Sequence, residues 1–223
     1  MIIDAFIPAR GGSKGIPKKN LINFLGKPLI VHSINYAKNC NLISNIYVST
    51  DNEEISNEAK LNGAKVINRP KELADDSATT ESAIEHYLQN IDYIPDLIVL
   101  LQPTSPHRPA NSLELSINKL IENNYDSLLS ISPTHKFFWN VHNDIAKPLY
   151  DYKNRPRRQD LNSKNINFVE NGSLYLFTSD LFLKEKNRLG GKIGSIIFDE
   201  QFSVEIDTPN DLHILRVICS NKL

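Results

Sequence analysis

The 223-residue chain has no long apolar run. Its longest, Leu97-Ile98-Val99-Leu100-Leu101, falls well short of the roughly 18 residues that a bilayer-spanning helix needs, so no such helix is expected. A secretory leader is not expected either. Met1-Ile2-Ile3-Asp4-Ala5-Phe6-Ile7 carries an early acid, no basic start and no small-residue cleavage site, which points to a cytoplasmic protein. Cysteine is scarce: Cys40 and Cys219 stand far apart without CxxC spacing, which excludes a disulfide framework or a zinc site and leaves buried, inert thiols. Charge of one sign is not in excess, and the formal net charge of −1 argues against a basic nucleic-acid binder. Internal repeats and low-complexity tracts are absent. The histidines lack ligand spacing, with His32, His86 and His213 on predicted helices and His107, His135 and His142 in loops, so none is assigned a metal.

What is present suits one globular core, with 40% hydrophobic and 23% charged residues. Ile2 to Ile7 reads as a buried strand, followed by a polar Gly-rich loop and a helix opening near Pro28 that carries Leu29, Ile30, Ile34 and Ala37. Strand Ile46-Tyr47-Val48-Ser49 leads to a helix capped at Asp51 or Asn52 and ended by Gly63, and Ala64-Lys65-Val66-Ile67 is the next strand. A helix from Thr79 and Thr80, the apolar strand Leu97 to Leu101, a helix over about Ala110 to Asn123 and a strand Ser127 to Ile131 continue the rhythm. Leu174-Tyr175-Leu176-Phe177 is strand-like, and Thr208, Pro209 and Asp211 punctuate the start of a last helix. Such alternation predicts a doubly wound α/β fold, a mostly parallel sheet with helices on both faces. Residues 1–131 and 168–223 are expected to form this core. Residues 132–167, with Phe137-Phe138-Trp139 and Arg155-Pro156-Arg157-Arg158, leave it as an excursion whose aromatics suit a dimerisation surface or plain packing on the core.

Chemistry concentrates after the first strand, in Pro8-Ala9-Arg10-Gly11-Gly12-Ser13-Lys14-Gly15-Ile16-Pro17-Lys18-Lys19-Asn20. Bare backbone and clustered cations suit a polyphosphate. The loop is neither GxxxxGK[ST] nor GxGxxG, so a nucleoside triphosphate held mostly by side-chain cations is implied; the plainer alternative is a solvated turn. Glu205 and Asp207 flank Ile206, and an extended segment puts both carboxylates on one face, where they suit Mg²⁺; alternatively they serve the dipole of the helix that follows. Gln102, Thr104 and Ser105 follow the apolar strand at its C-terminal end, where open α/β sheets bind ligands.

The run Ile7 to Leu21 resembles the signature of the acylneuraminate cytidylyltransferases, the CMP-sialic acid synthetases. The resemblance continues through Ser49-Thr50-Asp51, Arg69-Pro70-Lys71-Glu72-Leu73-Ala74, Leu101-Gln102-Pro103-Thr104-Ser105-Pro106, Arg157-Arg158-Gln159-Asp160, Asn171-Gly172-Ser173-Leu174-Tyr175 and Glu205-Ile206-Asp207-Thr208-Pro209, and so covers essentially the whole chain. It implies a Rossmann-like nucleotidyltransferase that moves CMP from CTP to the anomeric hydroxyl of a sialic-acid-type nonulosonate, a nine-carbon 2-keto acid sugar. Pyrophosphate leaves, Mg²⁺ is the cofactor and a homodimer is the usual assembly.

Carried over position by position, the resemblance has Arg10, Gly12, Ser13 and Lys14 holding the triphosphate and Lys19 and Asn20 lining the nucleotide. Cations around a leaving pyrophosphate stabilise charge that grows in the transition state, which makes Arg10, Lys14, Lys19 and Asp207 the implied catalytic residues. Arg69 and Thr80 match positions at the cytosine, although Arg69 before Pro70 also suits a surface turn and Thr80 a helix cap. Gln102, Thr104 and Ser105 at the strand end would contact the sugar; Asn171 and Tyr175 match the sugar pocket, although Asn171 also suits a turn amide and Tyr175 a core aromatic, and Arg158 matches a basic residue that the family brings near the acidic substrate, in some members from the partner subunit. Glu205 and Asp207 match the metal-binding acids, with Glu205 where the family often has Asp. Arg188-Leu189 stands where the best-known members carry two phenylalanines against the acyl group, which leaves legionaminate, pseudaminate and deaminated sialic acid open. The rivals are a CMP-Kdo synthetase, acting on an eight-carbon sugar, and a nucleotide-binding sensor without turnover.

Overall fold

The computed structural model describes residues 1–160 and 166–220, apart from the side chain of Arg158. In chain order the elements are β1 (Ile3–Pro8), β2 (Asn23–Phe24), β3 (Lys27–Pro28), α1 (Leu29–Lys38), β4 (Asn45–Thr50), α2 (Glu53–Leu61), β5 (Lys65–Asn68), α3 (Thr80–Gln89), β6 (Leu97–Leu101), α4 (Ser112–Glu122), β7 (Ser127–Thr134), β8 (Trp139–His142), β9 (Ile145–Pro148), β10 (Asn167–Thr178), α5 (Ser179–Glu185), β11 (Ile193–Ile197) and α6 (Pro209–Ser220). A 7-stranded sheet has the order β11-β7-β10-β6-β1-β4-β5. β1 pairs in parallel with β4 and β6, β4 with β5 and β7 with β11, whereas β10 is antiparallel to both β6 and β7. The doubly wound, mostly parallel sheet expected from the alternation is therefore present, with β10 reversed. The chain leaves β1 towards β4 and β5 and returns to β1's other side at β6, so the winding switches between β1 and β6.

Period-2 side-chain alternation divides the apolar residues between two cores. Ala5, Ile7, Val99, Leu101, Leu174 and Leu176 meet α1, α2 and α4 through Ile30, Ile34, Ile55, Ala59, Leu113 and Ile117. The alternate positions Phe6, Ile98, Leu100, Tyr175 and Phe177 meet α3 and α5 through Ile84, Tyr87 and Phe182. A third, smaller core joins Ile16 of the first loop to Phe24, Leu29, Ile206 and Leu215 of α6. Ile206 is completely buried, which is worth roughly 2 kcal/mol and anchors the segment carrying Glu205 and Asp207 against the first loop.

Several boundaries differ from expectation. β10 begins at Asn167 rather than Leu174, because Asn171-Gly172-Ser173 forms a bulge within a continuous strand and not a turn before it. The Asn171 amide bridges to β7, accepting from Ser130 Oγ at 2.5 Å and donating to Ser132 Oγ at 3.0 Å, and Gly172 takes a φ of +62°. β7 runs on to Thr134, which pairs with Asn167, so the core sheet extends past residue 131. Asn52 caps α2, accepting from Ile55 N at 3.0 Å. Thr79, not Thr80, caps α3, accepting from Ser82 N at 3.0 Å.

β8 and β9 form a separate hairpin closed by Asn143 and Asp144, both at positive φ as a type I′ turn requires. Phe137 packs tilted on Tyr150 and Trp139 meets the same ring edge-on, while Phe138, Trp139, Val141 and Ile145 stay exposed. Among the described residues no helix is long and apolar enough to cross a membrane.

Candidate active site

A cleft of about 470 Å³ opens where the winding switches, lined by the first loop, the residues after β5, the start of α3 and the residues after β6. Backbone and side-chain bonds shape the first loop. Ala9 N donates to Ser49 O at 2.9 Å, Gly11 N to Asp51 Oδ1 at 2.8 Å, and Asn20 Nδ2 back to Arg10 O at 2.9 Å. A Cβ on Gly15 would collide with the Asp207 carbonyl oxygen, so glycine there lets the loop lie directly on the segment that follows Ile206.

The cations reach the cleft already paired. Arg10 Nη2 and Lys14 Nζ meet the two oxygens of Asp76 at 2.9 and 2.8 Å, and Lys19 Nζ meets Asp207 Oδ1 at 2.9 Å. The hydrogen bond from Lys14, reinforced by Arg10, holds the Asp76 carboxyl below the usual carboxylate range. Lys18 faces away from the cleft and pairs with Glu54 at 2.6 Å. Arg69 is not the surface turn residue that its place before Pro70 allowed. It is buried at the cleft wall, donating from Nη2 to Ser49 O at 2.6 Å and from Nε to Ser49 Oγ at 3.0 Å, and burial pushes its pKa down to about 10. Thr80 lines the cleft beside Ala78 and Thr79.

Gln102 and Thr104 line the opposite wall, and Thr104 O accepts from Ile206 N at 2.8 Å, tying that wall to the acidic segment. Asp207 faces the cleft. Glu205 does not line it, contrary to the expectation of both carboxylates on one face, and is half-buried against the β10 bulge, where a Cβ on Gly172 would collide with its carboxylate. Burial first, then the Asp207 charge, raises the Glu205 pKa. Tyr175 OH donates to Glu170 Oε2 at 2.8 Å, and the Arg188 guanidinium lies 4.7 Å over its ring while pairing with Glu81 at 2.6 Å. Leu189 packs against the core.

Arg10, Ser13, Lys14, Lys19, Asn20, Arg69, Thr80, Gln102, Thr104 and Asp207 thus share one cleft. Others do not line it. Gly12 is exposed, with open space around its Cα, so no close approach requires glycine there. Ser105 is buried behind the wall, its Oγ without a hydrogen-bond partner among the described residues. Asn171 spends its amide on β7, and Tyr175 is buried on β10 beside Glu170. The side chain of Arg158 lies outside the described residues. Asp76 and Glu170 were not singled out in the sequence, and Gly15 and Thr79 were read only as a loop residue and a helix start. Only the adjacent acids Asp75-Asp76 facing a cation-rich loop signalled one of them.

Holding a nucleoside triphosphate, and stabilising the charge that departs with its pyrophosphate, takes cations gathered at such a switch point, which is the arrangement of a nucleotidyltransferase. Solved structures share the fold. The CMP:2-keto-3-deoxy-manno-octonic acid synthetase complexed with CTP superposes with a TM-score of 0.74 at 18% identity, covering 100% of both chains. The 4-diphosphocytidyl-2C-methyl-D-erythritol synthase of Anaerococcus prevotii does so at 0.69 and 13%, covering 98% of each. The Cytidylyltransferase family model matches residues 5–220, and the chain belongs to that family of nucleotidyltransferase enzymes. A pseudaminic acid cytidylyltransferase of Campylobacter jejuni is 34% identical over 95% of this chain and 94% of its own. The N-acylneuraminate cytidylyltransferase A of Danio rerio is 34% identical over 94% of this chain and 49% of its own. That of Escherichia coli is 31% identical over 99% and 52%. The chain spans about half the length of these N-acylneuraminate relatives.

Proposed function

We propose that the protein transfers CMP from CTP to the anomeric hydroxyl of a nonulosonate and releases pyrophosphate. The observation that carries this is the convergence of Arg10, Lys14, Lys19 and Asp207, from opposite ends of the chain, on one switch-point cleft. The triphosphate lies against the first loop, with Arg10 and Lys14 at the leaving pyrophosphate and Lys19 on the nucleotide's phosphates. Arg69 and Thr80 bound the base end. The sugar enters along Gln102 and Thr104, on the side of Tyr175, Glu170 and Arg188. Transfer is a direct, single displacement at the α-phosphorus by the sugar hydroxyl, with pyrophosphate as the leaving group.

The acidic segment fits Mg²⁺. Glu205 and Asp207, two positions apart on either side of the buried Ile206, bring like charges together, a donor set that suits a cation taking one or two carboxylates plus phosphate and water oxygens. Bound there, Mg²⁺ would supply Lewis-acid polarisation and neutralise phosphate charge. Lys19 holds Asp207 in position for that role.

The relatives named for nine-carbon acids favour a nonulosonate over the eight-carbon Kdo, for which the support is a shared fold alone. Intact cations and the metal-type acids favour turnover over a sensor. A homodimer built on the exposed β8–β9 hairpin, and a cytoplasmic location, belong to the same proposal. The test is Mg²⁺-dependent pyrophosphate release from CTP with N-acetylneuraminate or pseudaminate, against Kdo and against ATP, GTP and UTP. Release with CTP and a nine-carbon sugar is expected; release with Kdo alone, or no release with any nine-carbon acid, legionaminate and deaminated sialic acid included, overturns it.

A further inference from the structure

Two cleft cations share one acid of the protein itself. Arg10 takes one oxygen of Asp76 and Lys14 the other, as two oxygens of a phosphate would be taken. The acid is delivered by a built turn. Asp75 Oδ1 accepts from Ser77 N and Ala78 N, both at 2.8 Å, and Arg10 Nη1 donates to Asp75 O at 2.5 Å, so the turn is hooked onto the same arginine. Asp76 itself takes no part in the turn, lines the cleft, and is about half exposed at 51%. A pair this exposed is weak and yields readily to a ligand of higher charge, whereas a buried pair would lock the cations.

We propose that Asp76 is a resident counter-anion of the triphosphate subsite, displaced when the phosphate chain enters and returning to Arg10 and Lys14 as pyrophosphate leaves. The inference rests on the assignment of the cleft to CTP and adds a residue that controls it. Asp76 weakens by a common factor every ligand that must take both cations, CTP and pyrophosphate alike. It leaves CMP, whose single phosphate stops short of them, unaffected. Its gain for the enzyme is product release: the cations never face water unpaired, so pyrophosphate is exchanged for a carboxylate already in place.

Calorimetry on the full chain decides this, using CTP, inorganic pyrophosphate and CMP with Asp76→Asn and Asp76→Ala, with and without Mg²⁺. Because Asp75 holds the turn, both variants are expected to keep the wild-type melting temperature. CTP and pyrophosphate should tighten together by about three- to thirtyfold, CMP should not change, and pyrophosphate should become a correspondingly stronger product inhibitor. In a Lys14→Met background the gain from Asp76→Asn should shrink, as coupling between the pair requires. Unchanged or weaker binding of CTP and pyrophosphate overturns the proposal, as does equal tightening of CMP, which would mark a general charge effect, or weakening confined to Mg²⁺, which would mark a metal ligand. A wild-type protein that turns over CTP while Asp76→Asn shows no tightening sinks this proposal alone; one that binds neither CTP nor pyrophosphate sinks the cleft assignment with it.

Discussion

Lys19 Nζ stands 2.9 Å from Asp207 Oδ1, joining the first loop to the segment before α6 across 188 positions of sequence. Lys19 is largely sheltered and Asp207 largely open to solvent, so the pair adds little to stability and mainly orients both groups toward the cleft. Lys19→Met and Asp207→Asn are each expected to lower kcat by about 100-fold or more, in line with removal of a preorganised transition-state charge. Their melting temperatures should stay near the wild type. Steady-state kinetics beside thermal denaturation checks this, and full turnover in Asp207→Asn would remove the acid from the mechanism.

Gly172 holds a φ of +62° and leaves the space that the Glu205 carboxylate fills. Gly172→Ala should therefore push Glu205 away and raise the Mg²⁺ concentration for half-maximal activity several-fold, with about 1–2 kcal/mol lost to the left-handed backbone. Glu205→Asp, one methylene shorter, should recover part of the Mg²⁺ response in that background. A Mg²⁺ titration of the wild type, Gly172→Ala and the double variant reads the outcome.

Arg69 combines a structural role with a place on the cleft wall. Its guanidinium satisfies the Ser49 carbonyl and hydroxyl at the end of β4 and also walls the cleft. Arg69→Ala should cost about 2–3 kcal/mol, since it removes the charge-assisted bonds to the buried Ser49 carbonyl and hydroxyl, and should raise KM for CTP. Urea denaturation with CTP titration separates the two effects.

Arg108 is buried with no carboxylate partner among the described residues, and burial pushes its pKa down to about 10. It donates instead to Gln102 O at 2.8 Å, Ser173 O at 3.1 Å and Ser33 Oγ at 3.2 Å, tying the cleft wall after β6 to the β10 bulge and α1. Arg108→Met should lose about 3 kcal/mol through the loss of its buried charge-assisted bonds and loosen the Gln102–Thr104 wall, raising KM for the sugar more than for CTP.

His32 donates from Nε2 to Phe24 O, 2.7 Å away, and burial lowers its pKa from 6.5. The folded state therefore binds the proton more weakly than the unfolded chain, so stability is complete above pH 6.5 and falls as pH drops through that value towards the lower folded pKa. His32→Gln keeps a donor and removes the titration. The melting temperature of the variant should accordingly decline less between pH 7 and 5 than that of the wild type.

Much of the molecule was legible from local pattern. The order of strands and helices, the cation-rich loop and the Glu-Ile-Asp alternation follow from side-chain periods and turn chemistry within a few residues. The start of β10 was not legible, because Asn-Gly is ordinarily a turn signal rather than a strand one, and the Ser130 and Ser132 hydroxyls on the neighbouring strand hold it in a bulge.

By itself, then, the sequence determined the α/β layering and the family signature, since both are written in short-range spacing. The reversal of β10, the seat of Glu205 on Gly172, the pairing of Lys19 with Asp207 and of Arg10 and Lys14 with Asp76 were decided by tertiary structure alone. Each joins residues far apart in the chain, and where a charge finds its partner depends on which strand ends the sheet brings to one edge, a matter of topology on which local propensity is silent.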